Sequence, residues 1–288
     1  MFVIAGVTGN TGAVVAEKLL AQKKAVRVLV RDEAKGAPWK AKGAEIAVAA
    51  LDDAKALTEA LKGAEGAYFL SPPDFGAKDL RASRRALVDA IASAIEATGI
   101  RHVVFLSSIG AQHDDGTGII RTVAYAEKRL ARTPAKLTFV RAAYFLENWG
   151  AVAQAVQGGK LPSFLRPDVA YPMVATRDIG ETAARALLEG PRAKVDVIEL
   201  AGSRDLSARD VAALFATITG KPVEVEAAPL EAVVPAFTSF GASPDVAEEF
   251  RAMYEGIANG KVDWERSATR FVRGAADPEA VLRGLLPS

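Results

Sequence analysis

The sequence contains no cysteine and only two histidines, His102 and His113, among its 288 residues. Without cysteine there can be no disulfide, no thiolate nucleophile and no metal site built on sulfur ligands. Two histidines cannot supply a three-histidine metal site, and the two acids beside His113 lack partner ligands. We therefore predict no bound metal and expect both histidines to be structural or solvent-exposed.

An excess of charge of one sign and a long apolar run are also missing. The 36 lysines and arginines balance 35 aspartates and glutamates, so the formal net charge is +1. Since the chain has no basic field or basic stripe, we predict no nucleic-acid partner. The opening apolar run, residues 1–6, is too short for a signal peptide or a membrane span. These features predict a cytoplasmic protein without a membrane partner.

Short apolar runs alternate with helical patterns over the first 140 residues. The strand-like runs are Phe2–Ala5, Val26–Val30, Ile46–Val48, Ala67–Leu70, Val103–Leu106 and Leu137–Val140. Strands that are apolar on both faces and separated by helices are typical of a parallel sheet covered on both sides. Because such crossovers are right-handed, the sequence predicts an α/β fold with a Rossmann-type doubly wound parallel sheet.

The pattern changes after residue 149. The stretch Gly158–Tyr171 holds two glycines and two prolines and predicts an irregular loop, whereas Thr176 opens a helix and Val197–Leu200 is a further strand. We predict a nucleotide-binding domain of residues 1–149, to which residues 176–200 return. Residues 150–175 and 201–288 would form a smaller, mostly helical lobe that binds the substrate.

A glycine motif, Gly6-Val-Thr8-Gly9-Asn10-Thr11-Gly12, lies between the first strand and the first helix. Gly6 permits a tight turn, Gly9 allows the backbone to approach a pyrophosphate, and Gly12 lets the helix pack close to the sheet. The unpaired N–H groups at the start of the helix then face the anion. This context predicts a dinucleotide site that includes Thr8, Asn10 and Thr11, with a glycine-rich turn that binds nothing as the alternative.

The tip of the second strand indicates which dinucleotide binds. The apolar run stops at Val30, so Arg31 comes first after the strand and Lys35 follows one turn later. An arginine fork can hold the 2′-phosphate of NADP(H). If Asp32 occupied the tip instead, its carboxylate would favour NAD(H). We predict NADP(H), and a merely solvated Arg31 is the remaining alternative.

The Tyr-x-x-x-Lys pair used by many alcohol dehydrogenases and sugar epimerases is missing. None of the five tyrosines is followed four residues later by lysine. The nearest substitute is Tyr125 with Lys128, which would share one face of a helix and is our candidate catalytic pair. The alternative is a surface helix with ordinary charges. A hydride transfer that needs little acid–base help from the protein fits this chain better.

Five segments together carry a family resemblance: the glycine motif, Arg31-Asp-x-x-Lys35, Phe69-Leu-Ser71-Pro-Pro, Phe105-Leu-Ser-Ser-Ile-Gly110 and Arg141-Ala-Ala-Tyr144-Phe-Leu-Glu-Asn148-Trp. With these segments the chain resembles the NmrA-like atypical short-chain dehydrogenases/reductases, and among them the NADPH:quinone oxidoreductases of the second type and the triphenylmethane reductases. The resemblance implies that Ser71, Pro72, Ser107 and Tyr144 lie beside NADPH. It also implies that Tyr144 and Asn148 contact the substrate.

Two functions follow as hypotheses. The first is an NADPH-dependent oxidoreductase that transfers hydride to a quinone-like or other conjugated small-molecule acceptor. The alternative is a non-catalytic NADP(H)-binding redox sensor that reports to a protein partner. The sequence leaves open the natural acceptor and the choice between monomer and homodimer.

Overall fold

The computed structural model describes residues 1–287. Within these residues the strands are β1 (Phe2–Ile4), β2 (Val26–Val30), β3 (Glu45–Val48), β4 (Gly66–Leu70), β5 (His102–Ser108), β6 (Lys136–Ala142), β7 (Tyr144–Phe145), β8 (Lys160–Ser163), β9 (Tyr171–Val174), β10 (Val195–Ala201), β11 (Asp205–Leu206), β12 (Glu224–Ala227) and β13 (Arg270–Arg273). The helices are α1 (Asn10–Ala21), α2 (Ala37–Ala41), α3 (Ala54–Leu61), α4 (Leu80–Thr98), α5 (Arg121–Leu130), α6 (Ala153–Gln157), α7 (Thr176–Glu189), α8 (Ala208–Thr219), α9 (Val233–Ser239), α10 (Pro244–Ala258) and α11 (Pro278–Arg283).

An eight-stranded sheet forms the centre of the fold, in the order β13-β10-β6-β5-β4-β1-β2-β3. Every neighbouring pair in it is parallel. The strand order reverses at β1 and β4, so the loops that follow these strands diverge and leave a crevice at their carboxyl ends. The predicted Rossmann-type doubly wound sheet is confirmed.

The phenylalanines of the central strands explain why these strands lie innermost. Phe69 pairs in register with Phe105, and Phe105 pairs with Phe139, so three rings form one row across β4, β5 and β6. Each ring is almost completely buried. This face packs against α3, α4 and α5, while α1 and α7 cover the opposite face. A sheet that is covered on both sides requires strands that are apolar on both faces, as these are.

Outside the central sheet the chain forms two small sheets that the sequence pattern did not reveal. One joins β11, β9 and β7, and the other pairs β12 with β8. The expected irregular loop at 158–171 is therefore wrong for Lys160–Ser163, which forms β8 in parallel with β12. The sequence pattern did not predict this strand because it has only four residues, includes a proline and follows two glycines.

Strand β13 lies within the segment that the sequence assigns to the smaller lobe. Residues 270–273 nevertheless pair in parallel with β10 at the edge of the central sheet. The segment reads Arg-Phe-Val-Arg and has only two apolar residues, too few to show a strand pattern.

None of the helices within residues 1–287 is both long and apolar enough to cross a bilayer.

His102 is buried at the start of β5, as expected for a structural histidine. Its Nε2 lies 3.0 Å from Thr138 Oγ1 on the neighbouring β6. Burial lowers the pKa of His102 to about 4, outweighing the nearby Asp196 carboxylate, which raises the pKa. The folded protein therefore keeps this ring neutral over a range in which the unfolded chain takes up a proton.

This shift predicts a loss of stability in mild acid. Between the unfolded pKa of about 6.5 and the folded value, the unfolded state binds more protons, so stability falls as the pH falls. From pH 7 to pH 5 the free energy of unfolding of the wild type should decrease by about 2 kcal/mol more than that of His102→Gln. Urea unfolding at both pH values measures the difference, and parallel pH profiles of the two proteins would contradict this prediction.

Candidate active site

A large cavity of about 670 Å³ opens at the carboxyl ends of β1, β4, β5 and β6. One wall is formed by the turns that follow these strands, and it carries backbone and small polar groups. The opposite wall is apolar and comes from α4, the turn before α5, and α10; its side chains are Leu80, Ile119, Ile120, Phe250, Met253 and Ile257. The cavity thus combines a floor on the sheet that carries the polar groups with an apolar roof from α4, the turn before α5, and α10.

The glycine turn has the geometry that the motif predicts. Gly6 has a φ of 70°, a left-handed conformation that favours glycine, and it turns the chain away from β1. A Cβ on Gly12 would lie 2.3 Å from the carbonyl oxygen of Ala5, so α1 can approach the sheet only with glycine there. A Cβ on Gly9 would find no atom closer than 3.5 Å. Packing within the protein therefore does not require glycine at position 9, and the space beside it is free for a ligand.

The first turn of α1 presents backbone N–H donors that no side chain caps. Gly9 is the N-cap and offers no side chain to the first N–H groups of the helix, and no acidic residue lies in that turn. The N–H groups of Asn10, Thr11 and Gly12 have no partner within the helix. Together with the positive end of the helix dipole they form an anion site next to the cavity.

Tyr68 is a residue of this site that the sequence analysis missed. Its hydroxyl, buried in the middle of β4, donates a 2.9 Å hydrogen bond to Thr11 Oγ1. Burial raises the pKa of Tyr68 far above its ordinary value, so the hydroxyl stays protonated and donates. The bond fixes the Thr11 side chain at the start of α1. The sequence signal for this role was a single tyrosine within an apolar strand, because a buried tyrosine hydroxyl needs a hydrogen-bond partner.

Most of the predicted binding residues line this one cavity: Gly6, Thr8, Gly9, Asn10, Thr11, Ser71, Pro72, Ser107, Tyr144 and Asn148. Gly12 lies beneath it as a packing residue. Arg31 and Lys35 lie instead on the exposed turn after β2, and within residues 1–287 neither makes an ion pair. The carboxylate of Asp32 turns back to accept a 2.9 Å hydrogen bond from the Ala34 N–H, which occupies one of its two oxygens.

The candidate catalytic pair is not at the large cavity. The Tyr125 hydroxyl donates to Asp89 Oδ1 at 2.9 Å, and the Lys128 ammonium pairs with Asp114. Burial, followed by the contact with Asp89, raises the pKa of Tyr125 rather than lowering it. Both side chains line a second, smaller cavity, whereas Val123 faces the large one and Thr122 lines both. Positions 123 and 125 are two residues apart and point in nearly opposite directions on a helix, and the i,i+3 spacing of Tyr125 and Lys128 alone did not show which side faces the sheet edge.

A buried charge network supports Ser107 in the wall of the cavity. The Ser107 hydroxyl donates to Glu127 Oε1 at 2.5 Å, and Glu127 accepts two hydrogen bonds from Arg141, at 2.9 and 2.7 Å. Arg141 also pairs with Glu265. Because the Ser107 proton is committed to Glu127, the oxygen of Ser107 can offer only lone pairs to the cavity. Ser107 therefore acts there as a hydrogen-bond acceptor.

Tyr144 places a hydroxyl at the other side of the cavity. Its hydroxyl oxygen lies 3.3 Å from that of Tyr254 on α10, so β7 and α10 meet at this pair. Burial raises the pKa of Tyr144, which keeps the hydroxyl protonated at neutral pH. The site thus has one fixed acceptor, Ser107, and one protonated hydroxyl, Tyr144.

The Glu127–Arg141 pair should be important for stability. Replacing Glu127 by Gln removes the buried carboxylate and leaves the guanidinium only the more exposed Glu265, which should lower the free energy of unfolding by about 3 kcal/mol. The matched control is Glu279→Gln, which removes the carboxylate of the exposed Glu279–Arg283 pair and should change stability by less than about 1 kcal/mol. Equal losses in urea unfolding would show that the buried pair has no special importance.

Known proteins resemble the chain over most of its length. The NAD(P)H azoreductase of Xenophilus azovorans is 27% identical over 256 residues, covering 88% of this chain and 86% of the relative. The NADPH-dependent quinone oxidoreductase QOR2 of Escherichia coli, solved with NADPH, has a TM-score of 0.83 at 23% identity, with 99% of each chain covered. The triphenylmethane reductase of Citrobacter sp., solved with NADP(H), has a TM-score of 0.78 at 17% identity, covering 100% of this chain and 97% of that one.

The two solved structures establish the same fold across the whole chain. The sequence model of the NmrA-like family matches residues 1–270, which is nearly the full length. The resemblance inferred from the glycine motif and the Arg141–Trp149 segment is therefore confirmed, and the chain belongs to the NmrA-like family.

Proposed function

We propose that this protein is an NADPH-dependent oxidoreductase that transfers hydride to a quinone-like or other conjugated small-molecule acceptor. The observation that carries the proposal is the single cavity, which joins a dinucleotide cradle to an apolar wall. A cofactor on the cradle and a flat acceptor against the wall would lie within one enclosed space. The activities named for the azoreductase and the quinone oxidoreductase are of this kind.

The residues present fit a dinucleotide. The open N–H groups of Asn10, Thr11 and Gly12 would hold the pyrophosphate, because the missing Cβ of Gly9 leaves room for it. Arg31 and Lys35 would hold the 2′-phosphate, since both are exposed and free of ion pairs within the described residues. Ser71 and Pro72 would flank the cofactor, and Ser107 would accept a hydrogen bond on its nicotinamide side.

The chemistry requires little of the protein beyond orientation. When bound, NADPH supplies a hydride, and a quinone that gains this hydride and one proton becomes the hydroquinone. Tyr144 would hold the acceptor oxygen through its protonated hydroxyl, with Asn148 beside it. The proton would come from water, and the apolar wall would exclude solvent from the ring of the acceptor. Tyr125 and Lys128 have no part in this scheme.

In this proposal one domain binds the cofactor and the other covers the acceptor. Residues 1–149 and 176–200, together with strand β13, would bind the cofactor. Residues 150–175 and the rest of 201–288 would cover the acceptor, as Phe250, Met253 and Ile257 of α10 already do for the cavity wall.

A direct assay follows NADPH absorbance with a panel of quinones and azo dyes. Turnover of any acceptor well above the rate of a Gly9→Val control supports the reductase. NADPH binding without turnover of any acceptor, with protease sensitivity that differs between NADPH and NADP⁺, would instead favour the redox sensor.

Substitutions at Gly9, the N-cap of α1, and at Gly12, three residues later, should separate binding from folding. In Gly9→Val the side chain fills the ligand space, so NADPH binding should be lost while stability stays within about 1 kcal/mol of the wild type. In Gly12→Val the side chain collides with backbone, so the protein should be destabilised by about 3 kcal/mol or more. Calorimetric titration and urea unfolding measure the two effects. A Gly9→Val protein that binds NADPH normally would refute the cradle.

Arg31 should decide between the two nicotinamide cofactors. Arg31→Ala should weaken NADPH binding by about 1.5–3 kcal/mol, the range for hydrogen bonds to charged groups, and leave NADH binding nearly unchanged. The control is Lys24→Ala, which removes an exposed cation at the opposite end of β2. If NADPH affinity were the same in Arg31→Ala as in the wild type, the 2′-phosphate would lie elsewhere.

A further inference from the structure

A second cavity, of about 140 Å³, lies between α4 and α5, beside the loop that carries Asp114. Its wall carries five cationic side chains and a single carboxylate: Arg81, Arg84, Arg85, Arg121, Lys128 and Asp114. The remaining lining residues are Thr122, Ala124 and Tyr125. Such a wall favours an anion.

The second cavity borders the large one. Arg84 and Thr122 line both. Arg84 is only 9% exposed, and its Nη1 donates a 2.6 Å hydrogen bond to the carbonyl of Pro72, itself in the wall of the large cavity. The Nε atoms of Arg84 and of Arg81 are buried and have no hydrogen-bond partner. Buried donors without partners are rare in native proteins and indicate a missing ligand or water.

The carboxylates near these cations neutralise them only in part. Arg81 pairs with Glu249 and Arg84 with Asp74, and neither of these acids lines the second cavity. The two other partners lie on an exposed loop: Asp115, 87% exposed, pairs with Arg121, and Asp114, 73% exposed, pairs with Lys128. Pairs as exposed as these contribute little energy and can be exchanged for a ligand.

Arg85 has a different environment. Within residues 1–287 it is in no ion pair, and its guanidinium lies over the ring of Tyr125, 5.4 Å from the centroid. Tyr125 is held in turn by Asp89, which also pairs with Arg129. A guanidinium that is oriented by an aromatic ring and not paired with a carboxylate is available to a ligand.

The position separates this cavity from the expected 2′-phosphate site. Arg31 follows β2, whereas the second cavity lies beyond β4 and β5, and β1 stands between β2 and β4. At about 4.8 Å per strand, β5 lies roughly 14 Å from β2. One anion cannot reach both places.

We propose that the second cavity binds a phosphate or sulfonate group carried by the acceptor, whose conjugated ring lies in the large cavity. This inference rests on the proposed function and specifies its substrate class as acceptors that carry a tetrahedral oxyanion next to the conjugated ring. Arginine forks match the oxygens of such groups, and the volume is sufficient for one of them. The apolar wall would bind the ring, and the cationic cavity would fix the direction from which the ring enters.

The test compares two acceptors, 1,4-naphthoquinone and its 2-sulfonate, in wild type and in the double variant Arg85→Gln/Arg121→Gln. These residues are chosen because neither supports the cofactor loop, unlike Arg84. We expect KM for the sulfonate to rise about ten-fold in the double variant, with kcat nearly unchanged. For the parent quinone, both constants should stay within about two-fold of wild type. Arg101→Gln, which removes an exposed cation at the amino end of β5, should change neither.

A second measurement distinguishes the source of the anion. Inorganic sulfate should bind to the free protein in calorimetric titration, should compete with the sulfonated quinone only, and should lose its binding heat in the double variant. If sulfate binds there but the double variant treats both quinones alike, the anion does not come from the acceptor and the proposal is overturned. Absence of sulfate binding together with equal effects on both quinones overturns it as well.

If the protein is not a reductase, these experiments give a different set of results. In that case the wild type would oxidise NADPH with neither quinone, while the sulfate titration would still report on the cavity. Sulfate binding that depends on Arg85 and Arg121 would then leave an anion site without a reductase, and this would overturn the link to the acceptor.

Discussion

The unpaired N–H groups at the start of α1 are the feature on which the rest of the site depends. Three glycines make them available, each for a different physical reason. Gly6 adopts a left-handed φ, Gly12 avoids the carbonyl of Ala5, and Gly9 leaves the space in front of the helix empty. Only the last of these has no explanation within the protein's own packing. A ligand therefore accounts for Gly9 better than the fold does.

The second constraint is the buried network that ends at Ser107. Two charged residues are difficult to bury unless each finds its partner, and Glu127 and Arg141 satisfy one another through two hydrogen bonds. Glu127 in turn accepts the hydrogen bond from the Ser107 hydroxyl, so the Ser107 oxygen can only accept a hydrogen bond from a ligand in the cavity. The same arginine reaches Glu265, whose N–H donates to the fully buried Glu199. Through these contacts the segment before β13 is tied to the floor of the cavity.

Much of the fold and of the cofactor cradle was predictable because both depend on local sequence patterns. The apolar runs located β1, β2, β4, β5 and β6 to within two residues at each end, since a strand buried on both faces needs nearly continuous apolar sequence. The glycine motif located the turn because its spacing encodes backbone geometry. Ser71, Ser107 and Tyr144 were placed by family resemblance, and all three line the cavity. Short strands such as β8 and β13 carry too few apolar residues to produce a pattern.

What the sequence could not provide was the direction of side chains and the partners they meet across long separations. Tyr125 and Lys128 have suitable chemistry, but they face the second cavity and are held by Asp89 and Asp114. The second cavity is lined by residues of two helices about forty positions apart in the sequence, so no local sequence motif could predict it. Tyr68 similarly acquires its role only through Thr11, 57 residues away in sequence.

Amide hydrogen exchange of α1 with and without NADPH tests the central claim most directly. The account predicts that saturating NADPH slows exchange at Asn10, Thr11 and Gly12 more than at the amides in the middle of the same helix. If NADPH binds to the protein while exchange at these three amides is unchanged, the first turn of α1 does not hold the pyrophosphate and the account is wrong.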